Sequence, residues 1–298
     1  MATPLELAVM RRAIALSAAG LGTTSPNPPV GCVVLDPQGR IVGEGYHERK
    51  GEAHAETQAL AAAGTDAGGA TAVVTLEPCN HHGRTPPCRQ ALIDAHVKRV
   101  VIALIDPTSR GEGGAAALRA AGIDVETGVL ANEARVVLGP WLSALQTQRP
   151  LITWPYLITA DGIEALPEGT AEAGLLRRNA DAVLRADGTV TEAVPGTHGA
   201  GILKLADMAP GARVLTVAGS LYEAGVRHLL LADGVDAADR FLDAGLVDRV
   251  LAYTPDGSGS CRPAAVLPWP EVPPGFTITG AARIDGYVRI EAWRDTSR

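Results

Sequence analysis

Apolar segments of helical and strand period take turns along the first 147 residues of this 298-residue chain, and that alternation leaves few folds open. Thr3-Pro4-Leu5-Glu6 carries a Thr cap, a Pro in the first turn and a Glu three residues past the cap, which together mark a helix start. Leu7, Met10, Ile14 and Ser17 continue at helical spacing to Gly20. Residues 30–35 and 41–45 flank Asp36-Pro37-Gln38-Gly39 and read as a hairpin. A helix over 54–63 stops at Gly64, and 72–76 is a short buried strand. Helices over 88–96, 115–121 and 132–146 then alternate with strands over 100–105 and 125–127. Residues 1–147 therefore read as one α/β domain with helices laid on a sheet.

Arg149-Pro150 is the expected boundary, because Pro disfavours helix in the residue before it. Beyond it, strands are expected at 151–157, 182–184, 214–217 and 228–232. A helix ending over 241–246 leads to a strand at 249–253. The Pro-rich stretch 263–274 reads as a loop, and 276–279 with 287–292 as a closing pair of strands. Residues 151–298 thus form a second α/β domain, as the length of the chain suggests.

Composition narrows the function classes. With 46% apolar and 20% charged residues the chain is not a disordered one. No run approaches the ~18 apolar residues of a membrane span. Glu6, Arg11 and Arg12 fall where a signal peptide would need its apolar core, so a cytoplasmic location is expected. A net charge of −7 without any basic block argues against a nucleic-acid partner. Four Trp, five Tyr and two Phe leave the core to Ala, Val, Leu and Ile.

Four cysteines, Cys32, Cys79, Cys88 and Cys261, are too few for a disulfide scaffold, and in a reducing compartment a close pair points to metal or catalysis. Cys32 lies in the apolar run Val30-Gly31-Cys32-Val33-Val34 and reads as a small buried hydrophobe. Cys79 and Cys88 are the close pair, and His54-Ala55-Glu56 supplies an imidazole with a carboxylate two residues on. Zinc takes imidazole and thiolate ligands in a tetrahedron, and a catalytic site keeps three protein ligands with one corner open to water. His54, Cys79 and Cys88 match that count, and Glu56 sits where it can exchange protons without ligating. His-x-Glu followed by Pro-Cys and a second Cys is the arrangement of zinc nucleobase deaminases, although here the second Cys comes after a longer insert. The competing reading is a closed structural zinc site with His81 or His82 as the fourth ligand, which leaves Glu56 without a purpose.

Three stretches together resemble the bifunctional riboflavin-biosynthesis pyrimidine deaminase/reductase family: Thr24-Ser25-Pro26-Asn27-Pro28-Pro29-Val30-Gly31, His54-Ala55-Glu56, and Pro78-Cys79 through Asn80-His81-His82-Gly83-Arg84-Thr85-Pro86-Pro87 to Cys88. The resemblance implies a cytidine-deaminase-like three-layer domain over 1–147. It implies zinc on His54, Cys79 and Cys88, with Glu56 as proton shuttle. The implied substrate is 2,5-diamino-6-ribosylamino-4(3H)-pyrimidinone 5′-phosphate, a phosphoribosyl pyrimidine, which loses ammonia. Asn27 would bind the base or ribose, and the alternative for an Asn between two prolines is local turn chemistry. Arg84 would meet the phosphate or be a solvated surface residue, His81 would touch base or phosphate, and His47 falls on an aromatic–His pair of the family. A homo-oligomer, dimer or tetramer, is implied as well.

Residues 151–298 resemble the family's NADPH-dependent reductase half, implying a shortened dihydrofolate-reductase-like α/β domain. Asp181-Ala182-Val183-Leu184, Gly188-Thr189-Val190 and Phe241 to Asp248 follow the family order. The residues that carry the chemistry depart from it. The family's Lys in the first strand falls on Pro155, Thr191-Glu192-Ala193-Val194 replaces an acidic run, and Ala232-Asp233-Gly234 stands where a Glu-Gly-Gly turn receives the nucleotide. A side chain and a negative charge there oppose a phosphate. The expectation is a truncated, degenerate reductase domain and no NADPH cofactor. The alternatives are a working bifunctional enzyme, a deaminase of a related pyrimidine in specialised metabolism, and a zinc-stabilised scaffold.

Overall fold

The computed structural model describes residues 1–81, 86–109, 111–232, 235–256 and 272–295, and of 235–237 the backbone only. The chain divides into two compact units, Met1–Gly139 and Pro140–Arg298. Among the described residues no helix is long and apolar enough to cross a membrane.

The first unit runs α1 (Pro4–Ser17), β1 (Gly31–Leu35), β2 (Ile41–Tyr46), α2 (Ala55–Ala63), β3 (Thr71–Leu76), α3 (Cys88–Asp94), β4 (Arg99–Leu104), α4 (Gly113–Ala120) and β5 (Asp124–Thr127), and α5 (Ala131–Thr147) carries the chain to its end and onward. The expected start of α1 is realised as a full capping box, with Glu6 N–H donating to Thr3 Oγ1 and Thr3 N–H to Glu6 Oε2. The five strands lie in the order β2-β1-β3-β4-β5. The hairpin partners β1 and β2 are antiparallel, as are β1 and β3, whereas β3, β4 and β5 run parallel.

Alternate strand residues face opposite ways. Cys32, Val34, Ala72, Val74, Val100 and Ile102 pack with Ala55 and Ala59 of α2, Leu92 of α3 and Leu118 of α4. The α1 residues Met10 and Ala13 are buried on the other side, so the unit has three layers. The approach of α2 is unusually close. A Cβ on Gly43 would stand 2.1 Å from the Ala59 carbonyl oxygen, and one on Gly45 would stand 2.6 Å from that of Ala55. These glycines share one face of β2, so the helix rests on bare backbone there.

The second unit comprises β6 (Leu151–Thr159), β7 (Gly162–Ala165), α6 (Ala171–Arg178), β8 (Ala182–Leu184), β9 (Val190–Glu192), α7 (Val214–Glu223), β10 (His228–Leu231), α8 (Val235–Asp243), β11 (Arg249–Pro255), β12 (Phe276–Ile284) and β13 (Tyr287–Arg294). Its eight-stranded sheet is ordered β12-β13-β11-β6-β10-β8-β9, with β7 on β6. The strands β8, β10, β6 and β11 are parallel. One expected strand, over 214–217, is instead the first half of α7. Val214, Ala218 and Leu221 are buried while Leu215 is exposed, so a helical period overrides the β-branched composition of the run. Cys261, residues 263–271 of the Pro-rich stretch and Asp233-Gly234 lie outside the described residues.

A buried histidine sits at the start of β10. His228 Nδ1 is 2.9 Å from the Asn179 carbonyl oxygen, which can only accept, so Nδ1 carries the proton. His228 Nε2, 3.0 Å from Thr153 Oγ1, then accepts from that hydroxyl, and Thr153 Oγ1 itself accepts from Arg249 Nε at 3.2 Å. The chain of donors leaves no place for a second proton. Burial, helped by the Arg249 charge, pulls the imidazole down to about 4.

A folded-state value below the ordinary ~6.5 means the unfolded chain binds the proton first as pH falls. His228 thus contributes stability that is complete above about pH 6.5 and is lost toward pH 4, ~3 kcal/mol in all. Trp154 in β6 and Trp293 in β13 lie in this unit's sheet, so tryptophan fluorescence follows its unfolding. Urea titrations at pH 7.5 and 4.5 should show this loss in the native protein and a flatter profile in His228→Asn. Equal pH dependence of the two would exclude the assignment.

Candidate active site

The three expected ligands arrive from separate elements. His54 is the N-cap of α2, Cys79 follows the end of β3, and Cys88 opens α3. Their donor atoms all lie within 4.8 Å of one another, and among the described residues no other group of His, Cys, Asp and Glu converges in this way. His54 Nδ1 is 3.3 Å from Cys88 Sγ, and Cys88 N–H donates to Cys79 Sγ at 3.2 Å. The sequence splits the pair across a strand end and a helix start, and the fold closes the gap.

The protonation pattern tests whether this set suits a cation. A hydrogen bond from the Cys88 thiol draws Cys79 well below the ordinary thiol range, and the same shared proton, with burial, drives Cys88 up. A hydrogen bond to Cys79 raises His54. Two sulfurs and an imidazole holding one another's protons in a largely buried place are what a divalent soft-ligand metal replaces. The donor set fits zinc.

Glu56 is buried at 3% exposure in the first turn of α2. Burial pushes its carboxyl up, against the lowering effects of a backbone hydrogen bond and of His54. It is not one of the three converging donors, but its carboxylate is hydrogen-bonded to Cys88 and couples electrostatically to His54 and Cys79. Cys32 is fully buried in the sheet beneath α2, as its apolar run suggested, and burial raises its thiol.

His47 and Asn27 come together beside the cluster. His47 Nδ1 lies 3.2 Å from the Ala53 carbonyl oxygen and must donate to it, so Nε2 is the acceptor that faces Asn27 Nδ2 at 3.2 Å. Burial keeps the His47 pKa low, consistent with a neutral ring. Its ring meets that of His54 edge-on with centroids 5.2 Å apart. The half-buried Asn27 therefore has its amide orientation set by His47. His81 is exposed, and Arg84 lies outside the described residues.

Sequence reasoning gave no role to Glu77 or Arg89. Glu77 is buried, and its carboxylate accepts from Asp106 N–H and Ala115 N–H. Arg89 Nε donates to Asn80 Oδ1. Position beside a ligand cysteine was the available signal for Glu77.

In the second unit, Pro155 lies on the wall of a shallow cleft shared with Leu166, Leu176 and Leu230, and Arg177 there is paired with Glu168.

Residues 5–104 match the family described as the cytidine and deoxycytidylate deaminase zinc-binding region. Fold and site together define a zinc-dependent deaminase acting by hydrolysis on a pyrimidine. A riboflavin biosynthesis protein RibD of Mycobacterium tuberculosis (strain CDC 1551 / Oshkosh) is 41% identical over 271 residues, covering 78% of this chain and 79% of its own. The RibD of Corynebacterium ammoniagenes is 36% identical over 288 residues, 84% of this chain and 86% of its own. The crystal structure of a diaminohydroxyphosphoribosylaminopyrimidine deaminase/5-amino-6-(5-phosphoribosylamino)uracil reductase from Thermotoga maritima matches with a TM-score of 0.76 at 27% identity, over 97% of this chain and 99% of that one. The chain belongs to the RibD family of bifunctional riboflavin-biosynthesis deaminase/reductases.

Proposed function

We infer that the chain deaminates 2,5-diamino-6-ribosylamino-4(3H)-pyrimidinone 5′-phosphate, and that its second unit no longer carries out the reduction. The observation that carries the first part is the meeting of His54, Cys79 and Cys88 beside a buried, unligated Glu56.

His54, Cys79 and Cys88 would hold zinc, whose Lewis acidity brings the pKa of water toward ~7. Glu56 takes a proton from the attacking water and passes it to the departing amino group. The C–N bond breaks, ammonia leaves, and the ring carbon keeps the oxygen as a carbonyl. A carboxyl raised by burial suits this task, because it can hold the proton between the two transfers. Asn27, oriented by His47, is placed to hydrogen-bond the base or ribose. In the insert between the two cysteines, Arg84 is assigned to the phosphate and His81 to the base or phosphate.

Two observations support a lapsed reductase. Pro155 stands where the family has a Lys, and Arg177, the one Arg lining that cleft among the described residues, pairs with Glu168. The alignment to the M. tuberculosis protein extends over 271 positions but takes in 78% of this chain, so tens of that relative's residues have no counterpart here. The second reading, a fully bifunctional enzyme, is favoured by the structural match across 99% of the T. maritima chain.

Glu56→Gln should keep its zinc by metal analysis while ammonia release from the diaminopyrimidinone falls by roughly 10²–10⁴. Turnover within tenfold of the native protein would remove Glu56 from its role. Asn27→Ala and His47→Gln should each raise KM, and the double variant should be little worse than either alone, since one acts through the other. Additive effects would mean that His47 meets the substrate independently. Fluorescence titration with NADPH to millimolar concentration should give no saturable signal, and saturable binding coupled to substrate reduction would restore the bifunctional reading.

A further inference from the structure

Glu77 belongs to the Glu77-Pro78-Cys79 strap but has no part in the deamination chemistry above. Only 5% of it is exposed. Its N–H donates to the Leu104 carbonyl oxygen at 2.8 Å, tying the strap to the end of β4. Its carboxylate is divided between two backbone donors. Oε1 accepts from Ala115 N–H at 2.8 Å, and Oε2 from Asp106 N–H at 3.2 Å. Ala115 is in the first turn of α4, where N–H groups have no partner within the helix and a negative charge is favoured.

The chain makes room for this contact. A Cβ on Gly113 would come within 2.6 Å of Glu77 Oε1, and one on Gly114 within 1.8 Å of the Pro78 carbonyl oxygen. The start of α4 therefore lies directly against the strap. On the other side of Cys79, Arg89 holds Asn80 and Cys88 N–H holds Cys79 Sγ, both from α3. Those bonds relate the two sulfurs to each other. Glu77 is what relates the strap to β4 and α4.

We propose that Glu77 is a positioning residue for the zinc centre: by fastening the strap to Asp106 and Ala115 it fixes Cys79 Sγ opposite His54 and Cys88. The proposal rests on the reading that these three side chains hold zinc. If Glu77 merely capped α4, its loss would weaken the fold without loosening the metal. If it positions Cys79, zinc affinity must suffer, as it does when outer partners of metal ligands are removed.

Glu77→Gln retains one acceptor and turns an NH2 toward the other backbone donor. In a competition between the zinc-loaded protein and a chromophoric chelator, this variant should release zinc about 10–100-fold faster than the native protein. Its kcat at limiting zinc should fall in step and recover when zinc is added. Ala117→Gly weakens α4 without touching Glu77 and should release zinc at the native rate. Glu77→Asp, which keeps the charge but shortens the reach to the two N–H groups, should also release zinc faster than the native protein and decides the matter if Glu77→Gln does not fold by circular dichroism. Native zinc release in a folded Glu77→Gln, or equally fast release from Ala117→Gly, overturns the proposal. A native protein that holds no zinc would instead condemn the metal reading itself.

Discussion

The seating of α2 on β2 is the constraint on which the site depends. Helices ordinarily stand off a sheet by the thickness of their side chains, and here Gly43 and Gly45 remove that thickness on one side. The helix start is thereby lowered onto the sheet, which brings the N-cap His54 and Glu56 of the first turn toward Cys79, just past the end of β3. A helix resting on ordinary side chains would lift the imidazole away from the two sulfurs. The small residues Ala55, Ala59 and Ala63 on the contacting face serve the same end, and they explain why so alanine-rich a helix carries the chemistry.

Closeness has an electrostatic consequence. Burial alone would disfavour a charged Glu56, two thiolates and an imidazolium, and the cluster answers by sharing protons. Such sharing leaves the ligands poised, since a dication that replaces the shared protons restores favourable charge among them. Around this centre the polar groups are satisfied in a directed way. His47 is a donor at one nitrogen and an acceptor at the other because Ala53 offers a carbonyl and Asn27 an amide. The same logic holds His228 neutral in the second unit, where Asn179 and Thr153 take the two positions.

Much of this was legible in the residues themselves. The capping box of α1, the hairpin of β1 and β2 and the start of α2 rest on neighbours within a few positions, so local chemistry suffices to find them. His54, Glu56, Cys79 and Cys88 announce themselves by type, because few other tasks need an imidazole, a carboxylate and two thiols in that order. What stayed hidden depends on partners far along the chain. Glu77 finds its acceptor role with groups 29 and 38 residues away, and Asn27 has its amide oriented by His47, 20 residues on. The misread strand at 214–217 is a different failure. Its β-branched residues speak for extended chain over four positions, and the helical burial of Val214, Ala218 and Leu221 emerges only over eight.

The second unit is held together by packing that asks nothing of a ligand. Its parallel core of β8, β10, β6 and β11 buries Ile152, Leu184, Leu229 and Val250, none of which needs a ligand to be worth keeping. A cofactor site makes a separate demand, for backbone approach and uncommitted charge at the strand ends. In this unit Pro155 is buried within β6, and Arg177 of α6 pairs with Glu168. Fold and reaction are therefore under independent constraints in this half of the chain, whereas in the first half the core helix α2 and the ligand His54 are one continuous piece of backbone, and neither can change without the other.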